Sequence, residues 1–251
     1  MTTALSLSPL LPRYRTALAT TGAEVEAAQR LRYDVFVREC GARLLDPRAA
    51  AGLDADEWDE HCDHVLVHDD TTGAVVGTYR LLPPERAAGL GRGYSDGEFD
   101  LSAHAALRPD LVEAGRSCVH PDHRTGAVVS LLWAGVTRYV LGGGYRYLGG
   151  CASIPLADGG ATAAGVWDEV RERHLVPEAL RVVPHVPFDT ATPARPARLE
   201  MPPLLRAYLR IGAHVCGPPA LDADFGTADL YVLLRMADVA PRLLRRLAAQ
   251  S

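Results

Sequence analysis

The sequence Glu-Ala-Gly-Arg-Ser-Cys-Val-His-Pro-Asp-His-Arg-Thr-Gly, from Glu113 to Gly126, decides the fold. It predicts a short strand that breaks at Pro121 and passes through a turn into a long apolar helix, Ala127–Leu141 (AVVSLLWAGVTRYVL). A strand, a turn and a helix in this order bring backbone N–H groups, a helix N-terminus and an arginine around one point. Such a cradle suits a phosphate or pyrophosphate, so the segment predicts an anionic ligand.

Hydrophobic periodicity outside this segment predicts the remaining helices and strands. We predict helices at Ala23–Glu39, Glu98–Leu107, Ala161–His174, Leu204–Gly212 and Pro241–Ala249, strands at Asp63–His68, Ala74–Leu82, Tyr145–Ser153 and Asp229–Leu234, and a loop at Pro83–Gly97. Antiparallel strands followed by a strand, a helix and a strand indicate an α/β fold, with a central mixed sheet and helices on both faces. We expect one such domain at residues 22–251, preceded by an N-terminal arm at residues 1–21.

The composition is that of an ordinary soluble globular protein, with 48% hydrophobic and 23% charged residues. A net charge of −5 gives no electrostatic reason to expect nucleic acid as a partner. All 26 lysine and arginine positions are arginine, which excludes a P-loop lysine, a Schiff-base lysine and a lysine general base. Arginine instead supplies planar, permanently charged groups that suit carboxylate and phosphate ligands.

The cysteine pattern and the N-terminus indicate a cytoplasmic protein. Five scattered cysteines without a Cys-x-x-Cys pair are typical of reduced thiols. The N-terminal sequence has no basic region before its apolar residues, and no apolar run reaches the ~20 residues needed to cross a bilayer. Leu5–Leu11 leaves open a peripheral contact with the inner face of the membrane, although a mobile or packed arm is the preferred interpretation.

Seven segments of the chain carry a resemblance to a known family. They are LRYDVFV (Leu31–Val37), DEWDEHCDHVLV (Asp56–Val67), VVGTYRLL (Val75–Leu82), GEFDLS (Gly97–Ser102), EAGRSCVHPDHRTGAVVSLLW (Glu113–Trp133), YRYLGGCASI (Tyr145–Ile154) and LLRAYLRIGAHVCGPPALDADFGTADL (Leu204–Leu230). In this order they resemble the GNAT superfamily, and more closely its ornithine–acyl carrier protein N-acyltransferases of ornithine lipid biosynthesis. A weaker resemblance to acyl-homoserine-lactone synthases rests on Arg32, Phe36, Asp56, Asp59, Arg80, Glu113 and Arg116.

The resemblance implies an enzyme that moves a fatty acyl group, expected to be 3-hydroxyacyl, from acyl carrier protein to the α-amine of ornithine. The product would be lyso-ornithine lipid. The alternatives are an acyl-homoserine-lactone-type synthase that uses S-adenosylmethionine, an N-acyltransferase for another amino acid or amine, and a non-catalytic module that binds acyl carrier protein. No tightly bound cofactor is implied, because the acyl-phosphopantetheine of the carrier protein or of CoA is a co-substrate.

The resemblance places the acyl donor at the end of the Glu113 strand, where we expect the sheet to splay near Val119. The donor-binding residues would be Val119, Arg124, Thr125, Gly126 and Ala127. Common acetyl-CoA-binding members have a longer Arg/Gln-x-x-Gly-x-Gly/Ala loop at this position. A shorter loop offers fewer N–H donors to a pyrophosphate, so acyl carrier protein is implied at least as readily as free acyl-CoA.

Glu113 and Arg116 are the candidate catalytic residues, because they place charge in a strand that would normally bury apolar side chains. An amine that attacks a thioester must first lose a proton, and a carboxylate with a raised pKa can accept it. Glu113 is the candidate base, with a structural salt bridge to Arg116 as the alternative. Arg116 could bind the substrate carboxylate through a bidentate fork, or it could hold Glu113 or an acidic loop in place.

Asp56 and Asp59 are candidates for holding a cationic amino acid. They are three residues apart, so one helical turn would put both carboxylates on one side. Charge pattern alone favours a solvated acidic loop. The resemblance instead favours a role for both carboxylates in substrate binding. It also adds Arg80 and Arg32 to the predicted substrate-binding residues.

The histidines and cysteines do not predict a metal site or an acyl-enzyme nucleophile. A string of possible ligands runs through His61, Cys62, Asp63, His64 and His68. Strand alternation sends them to different faces, and no second cluster has zinc-site spacing, so we expect no metal. Cys118 shares a face with His120, but a buried thiol is preferred, because the resemblance implies direct transfer without a covalent intermediate.

Overall fold

A computed structural model of the chain describes residues 13–249. The segment Leu5–Leu11, for which the sequence leaves open a membrane contact, lies outside this range. Within the described range, no helix has both the length and the apolar character needed to span a bilayer.

The chain alternates strands and helices, with short single-turn helices between several of them. The strands are β1 (Tyr14–Leu18), β2 (Asp63–Asp69), β3 (Val75–Leu82), β4 (Phe99–Asp100), β5 (Leu111–Val119), β6 (Tyr147–Pro155), β7 (Val183–Pro184), β8 (His214–Val215), β9 (Ala220–Asp222) and β10 (Thr227–Arg235). The α-helices are α1 (Gly22–Arg32), α2 (Pro84–Leu90), α3 (Gly126–Gly142), α4 (Ala161–Arg173), α5 (Pro203–Arg210) and α6 (Pro241–Ala248). The strand, turn and helix predicted from Glu113 onward are therefore β5, the turn at its end and α3.

Most of these strands form one sheet, whose order is β1-β2-β3-β5-β6-β10-β8, with β9 also paired to β10. Each neighbouring pair is antiparallel except β5 and β6, which run parallel. The predicted mixed sheet is confirmed. Its edge strand β1 comes from the segment predicted as the N-terminal arm and pairs along its whole length with β2.

Helices cover both faces of the sheet, as the sequence predicts. Alternation along β10 sends Leu230 and Val232 into the core with α3, α4, α5 and α6, and sends Tyr231 and Leu233 into a second core. Helices α1 and α3 both contact β3 and β5. They bury their residues in different clusters, so they lie on opposite faces of those strands. Full burial of each large apolar side chain contributes about 1.5–3 kcal/mol.

Two predictions about local structure are wrong. The segment Pro83–Gly97, predicted as a loop, contains α2. The segment Glu98–Leu107, predicted as a helix, contains β4 and one helical turn at Ser102–His104. Phe99 of β4 is only 1% exposed and pairs with Pro184 of β7, so a tertiary contact overrides the local helical pattern.

A buried network of charges joins α1, β3 and the segment between them. Asp59 accepts hydrogen bonds from Arg32 Nη2 at 2.8 Å, from Arg80 Nη1 at 3.1 Å and from Gln29 Nε2 at 3.0 Å. The Arg32 and Asp59 side chains are 0% and 2% exposed. The structure therefore does not support the predicted substrate-binding roles of Arg32 and Asp59. They hold the chain after α1 against β3, because an unpaired buried charge would be costly.

The network predicts a large loss of stability when the Asp59 charge is removed. Burial alone raises the pKa of Asp59, but Arg32 and Arg80 outweigh burial and hold that pKa well below its usual range. Asp59→Asn should lower the free energy of unfolding near pH 7 by about 3–5 kcal/mol. Because the folded-state pKa is below the unfolded-state pKa, this stabilisation should be lost as the pH falls toward the folded value. Urea denaturation at neutral and acidic pH measures both effects.

The matched control is Asp34→Asn, which removes a carboxylate from an exposed pair with Arg38 in the π-helical segment Tyr33–Glu39 that follows α1. Exposed pairs of this kind contribute little, so its urea midpoint should remain close to that of the wild type. A wild-type midpoint for Asp59→Asn would contradict a stabilising role for the network.

Candidate active site

The site lies where the two parallel strands separate. β5 and β6 pair only from Leu111 and Tyr147 to Glu113 and Gly149, and then they part. The opening begins directly after Glu113, earlier along β5 than the predicted splay near Val119. A cavity of about 240 Å³ lies at the opening, lined by β5, by β6 and by residues from six further segments of the chain.

A β-bulge in β5 sets the position of Arg116. Two residues, Arg116 and Ser117, stand opposite the single residue Tyr79 of β3. Arg116 has a φ of 50°, a left-handed conformation that costs a non-glycine residue about 1–3 kcal/mol. The bulge therefore changes the alternation of β5 at the point where the strand lines the cavity.

The Arg116 guanidinium is held by weak contacts that leave hydrogen-bonding capacity free. It stacks on the Phe225 ring, with 4.3 Å between the guanidinium carbon and the ring centroid. Its nearest carboxylate oxygens belong to Asp56 at 3.6 Å and Asp54 at 3.7 Å, beyond hydrogen-bond distance. Within the described structure its buried Nε has no hydrogen-bond partner. Such a guanidinium can bind a carboxylate from a ligand.

Glu113 lies at the point of strand separation, and backbone groups surround its carboxylate. It accepts hydrogen bonds from Tyr94 N at 2.8 Å, from Ser95 N at 2.6 Å and from the Ser95 hydroxyl. Burial raises the pKa of Glu113, and these three hydrogen bonds oppose the rise without cancelling it. In the described chain Glu113 forms no ion pair with Arg116, so the salt bridge considered as an alternative is absent.

Two of the four predicted substrate-binding residues reach the site. Arg80 lines the cavity, stacks on the Tyr94 ring at 5.3 Å and donates from Nη1 to Asp56 Oδ1 at 2.5 Å. Asp56 lines an adjoining opening together with Arg116, and its Oδ2 has no hydrogen-bond partner in the described structure. Arg32 and Asp59 lie behind them in the buried network.

Sequence reasoning missed a second group of acids at the cavity. We call Glu98 and Asp229 the acid pair. Asp229 is 3% exposed and accepts hydrogen bonds from Thr227 Oγ1 at 2.7 Å and Ser153 Oγ at 3.1 Å. The Cys151 thiol lies 3.6 Å from Glu98 Oε2. The sequence signal for Asp229 is an aspartate inside the apolar run of β10. Its partner Glu98 lies directly before β4, within the segment that the sequence wrongly predicts as a helix.

Burial raises the pKa of both members of the acid pair, and the neighbouring carboxylates raise it further. Two carboxylates this close repel each other when both are ionised, so the pair is harder to ionise than ordinary carboxylates. Ligand atoms of Glu98, Cys151 and Asp229 all lie within 4.8 Å of one another. A metal ion would need these groups deprotonated, and the raised pKa of each of them opposes that.

The residues predicted to bind the acyl donor meet at the end of β5. Arg124 Nε donates to the Val119 carbonyl at 3.3 Å, and its two terminal nitrogens contact Glu39 at 2.6 and 2.7 Å. Thr125 precedes α3 and makes no side-chain cap, so the N–H groups of Gly126 and Ala127 begin the helix without such a partner. An exposed arginine and an open helix N-terminus therefore stand side by side.

Cys118, considered as a nucleophile, packs against Leu31 and Val35 beneath α1. Burial raises the pKa of its thiol. A thiol with a raised pKa is a poor nucleophile, in agreement with the preferred interpretation of Cys118 as a buried side chain.

Comparison with known proteins gives matches in sequence and in fold. A family model described as an acetyltransferase (GNAT) domain matches residues 31–134. Among solved structures, a CoA-dependent acyl-homoserine lactone synthase, BjaI, with MTA, superposes with a TM-score of 0.55 at 18% identity, covering 93% of this chain and 87% of that chain. At this identity the likeness shows a shared fold.

Two curated relatives, both named L-ornithine N(alpha)-acyltransferase, match nearly the whole chain. The relative from Rhodobacter capsulatus is 39% identical over 235 residues, which cover 88% of this chain and 89% of the relative. The relative from Agrobacterium fabrum is 37% identical over 248 residues, which cover 91% of this chain and 83% of the relative. The chain therefore belongs to the GNAT superfamily and, within it, to the L-ornithine N(alpha)-acyltransferase family, and it is an amide-forming acyltransferase.

Proposed function

We propose that this enzyme transfers a 3-hydroxy fatty acyl group from acyl carrier protein to the α-amine of ornithine and so forms lyso-ornithine lipid. The observation that carries the proposal is the partly buried Glu113 carboxylate at the strand separation, in one cavity with an Arg116 guanidinium whose Nε has no hydrogen-bond partner in the described structure. The names of the relatives support ornithine as the acceptor.

In the proposed reaction Arg116 binds the α-carboxylate of ornithine and Glu113 takes the proton from its α-ammonium. The neutral amine then attacks the thioester carbonyl, the carbon–sulfur bond breaks, and the thiolate leaves and is protonated. The raised pKa suits Glu113 to this proton transfer, because it makes Glu113 a stronger base than an ordinary carboxylate. Its three hydrogen bonds also fix the direction of the carboxylate.

The proposed donor lies along β5, with its phosphate at the N-terminus of α3. Arg124 would leave Glu39 and bind the phosphate, assisted by the N–H groups of Gly126 and Ala127. Their positions at the end of β5 support this placement. The short loop favours a single phosphate, as in a carrier-protein phosphopantetheine, over the larger anionic group of CoA.

Apolar side chains beyond the cavity could accept the acyl chain. Tyr79 and Tyr208 border both the main cavity and a second cavity of about 30 Å³. That second cavity shares Trp133 and Leu148 with a third, of about 10 Å³, beneath α6. These volumes are too small for a long chain, so binding would have to separate the helices. Each CH₂ buried in this way contributes about 0.8 kcal/mol.

We place this lipid-forming enzyme in the cytoplasm, with a peripheral contact to the membrane that receives its product.

The reaction is tested by incubating the protein with 3-hydroxyacyl carrier protein or 3-hydroxyacyl-CoA and a panel of amino acids. Mass spectrometry should detect an amide on ornithine, with the carrier protein as the better donor. A lactone formed from S-adenosylmethionine would assign the protein to the homoserine-lactone reaction. Tight binding of the carrier protein without turnover would assign it a non-catalytic role.

Replacement of Glu113 should abolish most of the activity. Glu113→Gln keeps the size of the side chain and removes its basicity, so the turnover number near pH 7 should fall about 10²–10⁴-fold. Ionised Glu113 is required, and its pKa is raised, so the wild-type rate should increase as the pH rises through that value. The variant should recover partly at high pH, where the free amine of ornithine becomes abundant.

The control for this experiment is Glu60→Gln, at an exposed position. Its pH profile should match that of the wild type. If Glu113→Gln keeps wild-type turnover and lowers only the melting temperature, Glu113 is structural, and the base must be sought elsewhere in the cavity.

Replacement of Arg124 should weaken the binding of the acyl donor and leave the binding of ornithine unchanged. A charge-assisted contact contributes about 1.5–3 kcal/mol, so Arg124→Ala should raise the KM for the acyl donor about 10- to 100-fold. The KM for ornithine should stay unchanged, because Arg124 lies outside the cavity that would hold the acceptor. Arg146→Ala, which breaks an exposed pair with Asp110, is the matched control. An unchanged donor KM for Arg124→Ala would show that this turn does not bind the donor.

A further inference from the structure

The acid pair differs from the other buried carboxylates of the described chain in what neutralises it. Asp59 faces two arginines, and Asp69 faces Arg13. Within residues 13–249, the acid pair contacts only hydroxyl and thiol groups and has no basic partner. A buried carboxylate without a basic partner is costly to ionise, and a cation from a ligand would remove that cost.

The acid pair is separated from the candidate base by only two small side chains. The Ser95 hydroxyl hydrogen bonds to Glu113 and lies 3.4 Å from Cys151 Sγ. Cys151 Sγ in turn lies 3.6 Å from Glu98 Oε2. An amino acid whose α-amine reaches Glu113 could therefore place a short side chain beside the acid pair. Ornithine has three methylene groups between its α-carbon and its second amine, which suits this separation.

The opposite charge in the same cavity gives an independent indication of the ligand. Arg116 lines the cavity and has a buried Nε with no hydrogen-bond partner in the described structure. Asp222 lines the cavity too, on the side of the acid pair. A guanidinium with an unsatisfied donor, together with acids that have no basic partner in the described structure, matches a ligand that carries one carboxylate and a cationic side chain.

We propose that Glu98 and Asp229 bind the side-chain ammonium of the acceptor and thereby select basic amino acids such as ornithine. This inference rests on the proposed acylation reaction. The ammonium donates hydrogen bonds to the two carboxylates and supplies the positive charge that they lack in the described structure. Arg116 holds the α-carboxylate, and the α-amine is directed to Glu113. The acid pair is thus a specificity determinant and takes no part in the proton transfer.

The test compares L-ornithine with L-norvaline, which has the same carbon chain without the second amine. Formation of amide and release of thiol give kcat/KM for each acceptor. Where norvaline turnover is below detection, its inhibition constant against ornithine replaces kcat/KM. Asp229→Asn and Glu98→Gln keep the size of the side chains. Each should reduce the preference for ornithine about 10- to 100-fold, because kcat/KM falls for ornithine and stays the same for norvaline.

The norvaline measurement separates a specificity role from a folding defect, because a misfolded variant loses activity with both acceptors equally. Asp110→Asn, a surface carboxylate paired with Arg146, should leave the preference unchanged. Equal losses for both acceptors, or no preference in the wild-type enzyme, would overturn the inference and leave the reaction intact. Loss of the preference after treatment with a chelator would assign the acid pair to a metal ion. Absence of acylation with every amino acid would instead overturn the proposed function.

Discussion

Carboxylates removed from water need a partner, and this constraint organises the whole site. Asp59 is neutralised permanently by Arg32 and Arg80, so it belongs to the framework. Glu113 is stabilised by neutral N–H and O–H donors, which orient it and leave it basic. Glu98 and Asp229 have the weakest partners of the three groups. The kind of partner therefore distinguishes a structural acid from an acid available to a ligand.

The topology of the sheet brings these groups together. A parallel pair at its centre ends after a few residues and leaves an opening between β5 and β6. The bulge in β5 then redirects Arg116 at the same place. Segments far apart in sequence can line the opening because both strands present side chains and backbone to it. Stability is provided by the helices on either face, so the strained residue is tolerated at the site.

The sequence predicts the fold well, because its signals are local. The Glu113 strand, the Gly126 turn and the apolar helix after it are adjacent in the chain, and their order alone implies the parallel crossover. The expectation of a donor site at the end of β5 comes from the same segment. The sequence also predicts Glu113 and Arg116 as neighbours on one strand, but it does not show that they point to different partners.

The features of the site that the sequence does not predict depend on contacts between distant segments. Asp59 looked available for a ligand because its arginine partners lie on α1 and β3. Glu98 was assigned to a helix because nothing local indicates that Phe99 is buried in the second core. Asp229 looked like the polar end of an apolar strand, and only the pairing of β10 with β6 brings it against Ser153. Burial and charge pairing are thus the properties that a single sequence conceals.

The early end of the parallel pair also makes β5 an unusual kind of edge strand. Beyond Glu113 its backbone is hydrogen bonded to β3 on one side only, although the strand lies in the middle of the sheet. Unpaired strand edges attract other extended chains, which add to the sheet through main-chain hydrogen bonds. A phosphopantetheine arm is itself an extended chain with amide groups. In the proposed reaction, a phosphopantetheine donor would occupy the unpaired side of β5, so that the substrate would supply the strand that the sheet lacks there.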